Sequence, residues 1–514
     1  MDSHIQCHPQ PRPGSDHQLE SESATMKIDT QHPIWLAGEA GTRRELLRGA
    51  GLGIGAMALG TLMTDDAGAA PKPQPDGIPP IPKKKARAKA VIYLHMSGAP
   101  PTLDCFDYKP TLKRLDRQDC PAELMKGERF AFIKGVPKIL ASPHSFAQYG
   151  KAGMWVSSQL PYTSKIADEI TLVRSMVTDQ INHSPAEMFI YTGNAFPGNA
   201  SMGSWITYGL GSSNKNLPGF VVLLSGGTDP TGGKSIWSSG YLPSVYQGVQ
   251  CRAAGDPILF LSDPKGIDRQ SRRRTLDALS TLNKLDSART GDRETIARTE
   301  QYELAYRMQM AVPEVTDIRK EKPETLERYG ITNPAEASFA KNCLLARRLV
   351  EQGVRYVQLY DWGWDIHGTG PGDDLMTAFP QKCQQTDKAA AALVMDLKER
   401  GLLDDVLVVW GGEFGRTPMN EARGGSTYLG RDHHPHAFCM WMAGGGMKQG
   451  YIHGETDELG YKVASGKVTI RDLQATILDA VGLDPYRLRF PFQGLDQRLI
   501  GPTNEGQVQT ALYR

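Results

Sequence analysis

The chain has 514 residues, 40% hydrophobic and 22% charged, with 58 Lys/Arg against 57 Asp/Glu and a formal net charge of +1. That composition is globular and long enough for a large core, and the charge balance excludes an overall nucleic-acid or membrane-surface footprint. The triplet Arg272-Arg273-Arg274 is local and reads as a solvated helix face.

From the N-terminus, Thr42-Arg43-Arg44-Glu45-Leu46-Leu47-Arg48 precedes a weakly apolar, Gly/Ala-rich run over 49–63, and Ala67-Gly68-Ala69 offers small residues for cleavage. This is the arrangement of a twin-arginine export signal. The run is shorter than the about 20 residues of a bilayer span, so no stable membrane span is expected. The twin-arginine translocase is the expected partner, and the periplasm or the exterior the expected location. Translation starts at Met1 or Met26. Residues 1–70 read as extension and signal, 71–89 as a disordered Pro/Lys-rich linker, 90–500 as one domain and 501–514 as a C-terminal tail. Of seven cysteines, Cys105 and Cys120 are near enough to bridge in an oxidising compartment, the alternative being separate buried thiols.

Short apolar runs at 90–96, 170–173, 220–224, 354–360, 406–410 and 438–443 predict buried strands. Helical patterns lie between them, clearest at 335–352 and at 376–400, which stops at Gly401. Residues 268–310 are polar and helical in pattern, outside the sheet. Thr469-Ile470-Arg471-Asp472 resembles a capping box and opens a helix over 472–481. Strands alternating with helices predict an α/β fold, with a mostly parallel central sheet and helices on both faces.

Three clusters flank these strands. Asp361-Trp362-Gly363-Trp364-Asp365-Ile366-His367 follows the run ending at Tyr360. Gly412-Glu413-Phe414-Gly415-Arg416-Thr417-Pro418 follows the run ending at Trp410. Gly430-Arg431-Asp432-His433-His434-Pro435-His436 precedes the run starting at Phe438. Loops at strand ends face the crevice of an open α/β sheet, and carboxylates with imidazoles are metal ligands. Asp365, His367, Glu413 and His433 are the expected ligands, with Asp361 and His434 as further candidates. Three histidines favour zinc, manganese or iron over calcium. Arg416 is placed either to clamp an anionic ester or to pair with Glu413.

A fourth cluster, Asp179-Gln180-Ile181-Asn182-His183-Ser184-Pro185-Ala186-Glu187, feeds a helix start. There His183 can act as base, acceptor or ligand, with Ser184 beside it, or Asn182 or Ser184 can simply cap. Asp104 and Asp107 follow the first strand and serve either a turn or the site. His95 reads as a packed core histidine.

As an ordered set these pieces resemble the exported proteins of the domain of unknown function 1501 (DUF1501) family, remote relatives of the alkaline phosphatase and sulfatase superfamily. The set comprises Ser97-Gly98, Asp104-x2-Asp107-x-Lys109-Pro110, Arg174-Ser175-Met176, Asn182-His183, Pro185-Ala186, Trp364-Asp365-x-His367, Gly412 to Pro418, Gly430 to His433 and Ala443 to Gly446. The resemblance implies an alkaline-phosphatase-like three-layer sandwich and a metal centre that hydrolyses phosphate or sulfate esters; the expected substrate is a small-molecule or carbohydrate ester, and the ligand types make the expected divalent ion zinc or manganese rather than calcium. His183 then falls near the position of the phosphatase nucleophile. The chain departs from the superfamily in having no Asp at the end of strand one and no Cys-x-Pro/Ala-x-Arg for a formylglycine. The competing expectation is a non-catalytic ligand- or carbohydrate-binding protein on the same scaffold.

Overall fold

The computed structural model describes residues 83–128, 130–252, 266–336 and 338–514. The expected twin-arginine signal and cleavage site, and most of the expected linker, lie outside the described residues. All six expected apolar runs are strands of one nine-stranded sheet. In chain order the strands are β1 (Ala90–Ser97), β2 (Ile170–Val177), β3 (Phe220–Ser225), β4 (Val249–Cys251), β5 (Tyr356–Trp362), β6 (Val406–Gly411), β7 (Phe438–Ala443), β8 (Tyr451–His453) and β9 (Val468–Thr469). They are ordered β8-β2-β7-β6-β1-β5-β3-β4, with β9 also against β2. The three unexpected strands, β4, β8 and β9, are short and lie at the sheet's ends, where no long apolar run is needed.

The sheet is parallel except at β7, which runs antiparallel to both β2 and β6. Central strand β1 is buried along its whole length because both faces are covered. Ile92 and Leu94 pack on one face with helices α4 (Arg293–Thr316), α5 (Phe339–Glu351) and α6 (Ala378–Glu399). Val91 and Tyr93 pack on the other with α1 (His183–Thr192), α2 (Met202–Leu210) and α7 (Ile470–Ala480). This makes three layers.

The polar stretch expected as one helical region is a hairpin of two helices. The first, α3 (Arg269–Thr290), ends at Gly291 (φ 72°), and Asp292 caps α4. Met308, Val312 and Val315 of α4 join the core, whereas Leu276 is the buried residue of α3. Helix α7 starts two residues earlier than expected. Thr469 is its cap, accepting from the Asp472 N–H while the Asp472 side chain accepts from the Thr469 N–H. Near the C-terminus Leu512 and Tyr513 are buried, and Tyr513 donates to the Thr476 carbonyl of α7. Cys105 and Cys120 are separate buried thiols, not a bridge. Among the described residues no helix is long and apolar enough to cross a membrane.

Asp104 does not face the crevice. Its two oxygens accept from Arg431 (Nε 2.6 Å, Nη2 3.1 Å), and both side chains are fully buried. Arg431 also donates to the carbonyls of Leu140 and Thr417. Asp107 likewise serves structure, meeting Thr456 and Lys109. Asp104→Ala strands a buried guanidinium and is expected to lower unfolding stability by about 3–5 kcal/mol, read by urea denaturation. A change below about 1 kcal/mol would show that the pair does not hold this edge.

Candidate metal centre

The C-terminal ends of β2, β6, β1 and β5 share one edge of the sheet. Because β7 is antiparallel, the segment preceding it reaches that same edge. His183 follows β2, Asp365 and His367 follow β5, Glu413 follows β6, and His433 precedes β7. A two-stranded ribbon fastens the last of these, pairing Arg416 with His433 and Gly415 with His434. Two glycines allow the loops to close. A Cβ on Gly98 (φ 106°) would lie 2.5 Å from the Asp365 nitrogen, and one on Gly430 would lie 1.9 Å from the His367 carbonyl carbon.

Four donors converge: one atom each from His183, Asp365, His367 and His433, all within 4.8 Å of one another. Asp365 Oδ1 is the hub. The Nε2 atoms of His367, His183 and His433 lie 2.8, 3.2 and 3.7 Å from it. The Nε2 atoms of His183 and His433 are buried and have no hydrogen-bond partner.

Each Nδ1 is occupied by a different acceptor. His183 Nδ1 donates to Glu413 (2.5 Å), His433 Nδ1 to the Ile181 carbonyl (2.7 Å), and His367 Nδ1 to Glu421. These contacts fix the tautomers and turn every Nε2 lone pair inward, the outer layer that metal-ligating histidines use. The donor set fits a divalent cation.

Glu413 is not in this group. It is fully buried behind His183, and its two oxygens also accept the N–H groups of Gly98 and Ala99. Asp361 is absent from the centre for a register reason. Strand β5 continues to Trp362, so Asp361 pairs beside Met96 and Ser225 and binds Ser225, Trp364 and Lys382. His434 turns away, its Nε2 donating to the Tyr461 carbonyl, and burial pushes its pKa down to about 4. Ser184 is half-buried in the first turn of α1, outside the cluster. His436 is exposed near Glu128.

Arg416 belongs to the site, but not as an ester clamp. Its guanidinium is fully buried and donates to the carbonyls of Ala99, Gly98 and Arg431 and to Asp365. Those donors are spent on holding Asp365 in place. Two groups that the sequence did not flag sit at the exposed side. The Phe132 ring lies edge-on to His367 and His433, held there because Asp432 accepts the backbone N–H groups of Phe132 and Ile133. Arg423 stacks 3.7 Å over Phe132 and donates to Glu421. Nothing in the spacing marks Phe132, Glu421 or Arg423.

Burial acts to raise the Asp365 pKa. Arg416 and the three histidines outweigh it and hold the carboxyl far below its usual range. For His183, burial opposes protonation, but Asp365 and Glu413 win and push its pKa up to about 9. Burial lowers His433 to about 4, with Arg416 and the other imidazoles adding to it against Asp365.

A cation taking His183 Nε2 displaces that proton. Apparent metal affinity is therefore expected to rise about tenfold per pH unit from pH 7 to about 9, measured by chelator competition. Affinity flat over that range would remove His183 from the ligand set. Glu421→Gln is expected to weaken metal binding about 10–100-fold while the fold is kept, as for other partners of ligating histidines.

No curated protein sequence matches the chain. Among solved structures, a sulfatase from Pseudoalteromonas sp. is similar at 13% identity, covering 83% of this chain and 74% of its own, with a TM-score of 0.36. The lipoteichoic acid synthase LtaP from Listeria monocytogenes is 11% identical over 84% and 78%, with a TM-score of 0.36. The alkaline phosphatase from the Antarctic bacterium TAB5 is 13% identical over 77% and 98%, with a TM-score of 0.31. The model of the family described as "Protein of unknown function (DUF1501)" matches residues 88–512. The chain belongs to that family.

Proposed function

We propose that the protein is an exported metal-dependent hydrolase of phosphate or sulfate esters, including esters on carbohydrates, with His183, Asp365, His367 and His433 as its ligands. The observation that carries this reading is the set of three imidazoles with Nε2 turned to one carboxylate and each Nδ1 on its own acceptor. Three nitrogens and a carboxylate suit zinc or manganese, whereas calcium takes oxygen donors. Such an ion supplies Lewis acidity and a more acidic water. Export rests on Arg43-Arg44 and the apolar run after them.

The chain's own residues supply the rest. Hydrolysis adds water across the P–O or S–O bond, giving an alcohol and a free anion. Asp365, with 29% of its side chain exposed, marks the open side of the centre. Arg416 keeps that carboxylate ionised and fixed. Arg423, 38% exposed beside His367, is the cation positioned to meet the anionic group, and Phe132 forms the adjoining wall.

A binding protein without turnover is the second reading. It is favoured because His183 and Arg416, the two side chains expected to do chemistry, are committed to neighbouring residues.

The discriminating experiment is a metal assay of the purified protein with a panel of aryl sulfates, aryl phosphates and phosphodiesters. Metal-dependent turnover of one class is expected. His367→Ala should abolish both metal and turnover. Arg423→Gln should keep the metal and raise KM more than it lowers kcat. Bound metal with no turnover on any ester would leave the binding reading, and failure to take up metal would end both.

A further inference from the structure

A second cluster lies deeper on the same edge. His95 projects from β1 toward Glu187 of α1 and toward Glu413, and all three side chains are fully buried. His95 Nε2 is 3.6 Å from Glu187 Oε1 and 3.4 Å from Glu413 Oε2, and neither ring nitrogen has a hydrogen-bond partner. Two donors on one ion, with bonds of ~2.1 Å at a tetrahedral angle, stand ~3.4 Å apart. The spacing is therefore long for a hydrogen bond and right for two ligands of one cation.

Charge points the same way. Among the described residues Glu187 pairs with no cation but His95, and Glu413 only with His95 and His183. Two buried carboxylates and one buried imidazole, with donor atoms within 4.8 Å of one another, match the charge and ligand types of a divalent cation.

We infer that His95, Glu187 and Glu413 form a second, buried site for a divalent transition ion, a site that stands apart from the proposed function. Ser97 Oγ donates to Glu187 Oε1 at 2.7 Å, Thr231 Oγ1 and the Gly232 N–H donate to Glu187 Oε2, and the Ala99 N–H donates to Glu413 Oε2, so both carboxylates are held in place. Glu413 joins the two centres. One oxygen accepts from His183 Nδ1 and the other faces His95. A nitrogen donor and few oxygens select zinc or manganese over calcium.

The test is metal stoichiometry and anomalous diffraction on the full chain loaded with zinc or manganese and desalted. Two ions per chain are expected, with anomalous peaks beside Asp365 and between His95, Glu187 and Glu413. His95→Gln and the near-isosteric Glu187→Gln should each hold one ion, and His367→Ala should lose only the first. One ion that survives His95→Gln and disappears with His367→Ala overturns the second site and leaves the proposed function standing. One ion lost with His95→Gln but kept with His367→Ala upholds the second site and overturns the first. The wild-type crystal answers even where a variant does not fold, since a single peak beside Asp365 overturns the inference.

Discussion

The Asp365 carboxylate organises the open edge of the sheet. One of its oxygens receives the buried Arg416 and stands at the focus of three imidazoles. A carboxylate so placed stays ionised only because the surrounding groups compensate for its loss of water. Arg416 can do this because the two residues that follow β1, Gly98 and Ala99, present carbonyls that anchor its other donors. Gly98 in turn has no side chain, which lets the backbone at Asp365 close against the end of the strand.

Outside the imidazoles lies a layer of three acceptors: Glu413, Glu421 and the Ile181 carbonyl. It determines ring orientation, and so decides which nitrogen of each histidine is available. Asp432 performs a related task at one remove, fastening the segment that carries Phe132 rather than joining the cluster itself. Removing such groups alters the centre without touching a ligand.

Much of this was legible in the sequence, and the exceptions have physical causes. Strands buried on both faces read as continuous apolar runs, which is why β1, β5, β6 and β7 were visible. An apolar run carries no direction, however. In an entirely parallel sheet the residues before β7 would lie at the opposite edge from those after β5, and His433 would never meet His367. The antiparallel setting of β7 is what unites them. Asp361 was misplaced for a similar reason, because two more residues of pairing carried it into the sheet. Arg416 was found by its position in a glycine-rich turn, but its burial, and hence its role toward Asp365, arises only from packing. Glu421 and Phe132 lie in irregular segments where no periodicity singles them out. The ordered motifs located the family more securely than any single residue located the chemistry.

The antiparallel strand has a further consequence for biosynthesis. The converging side chains enter the growing chain in the order His183, Asp365, His367 and His433, and the last is held only after β7 has slotted between β2 and β6. No N-terminal fragment released early by the ribosome contains the whole cluster. Loop closure over such separations is slow and entropically opposed until the sheet itself brings the ends together. The centre is therefore a late product of folding, and its completion reports that the sheet has acquired its full strand order.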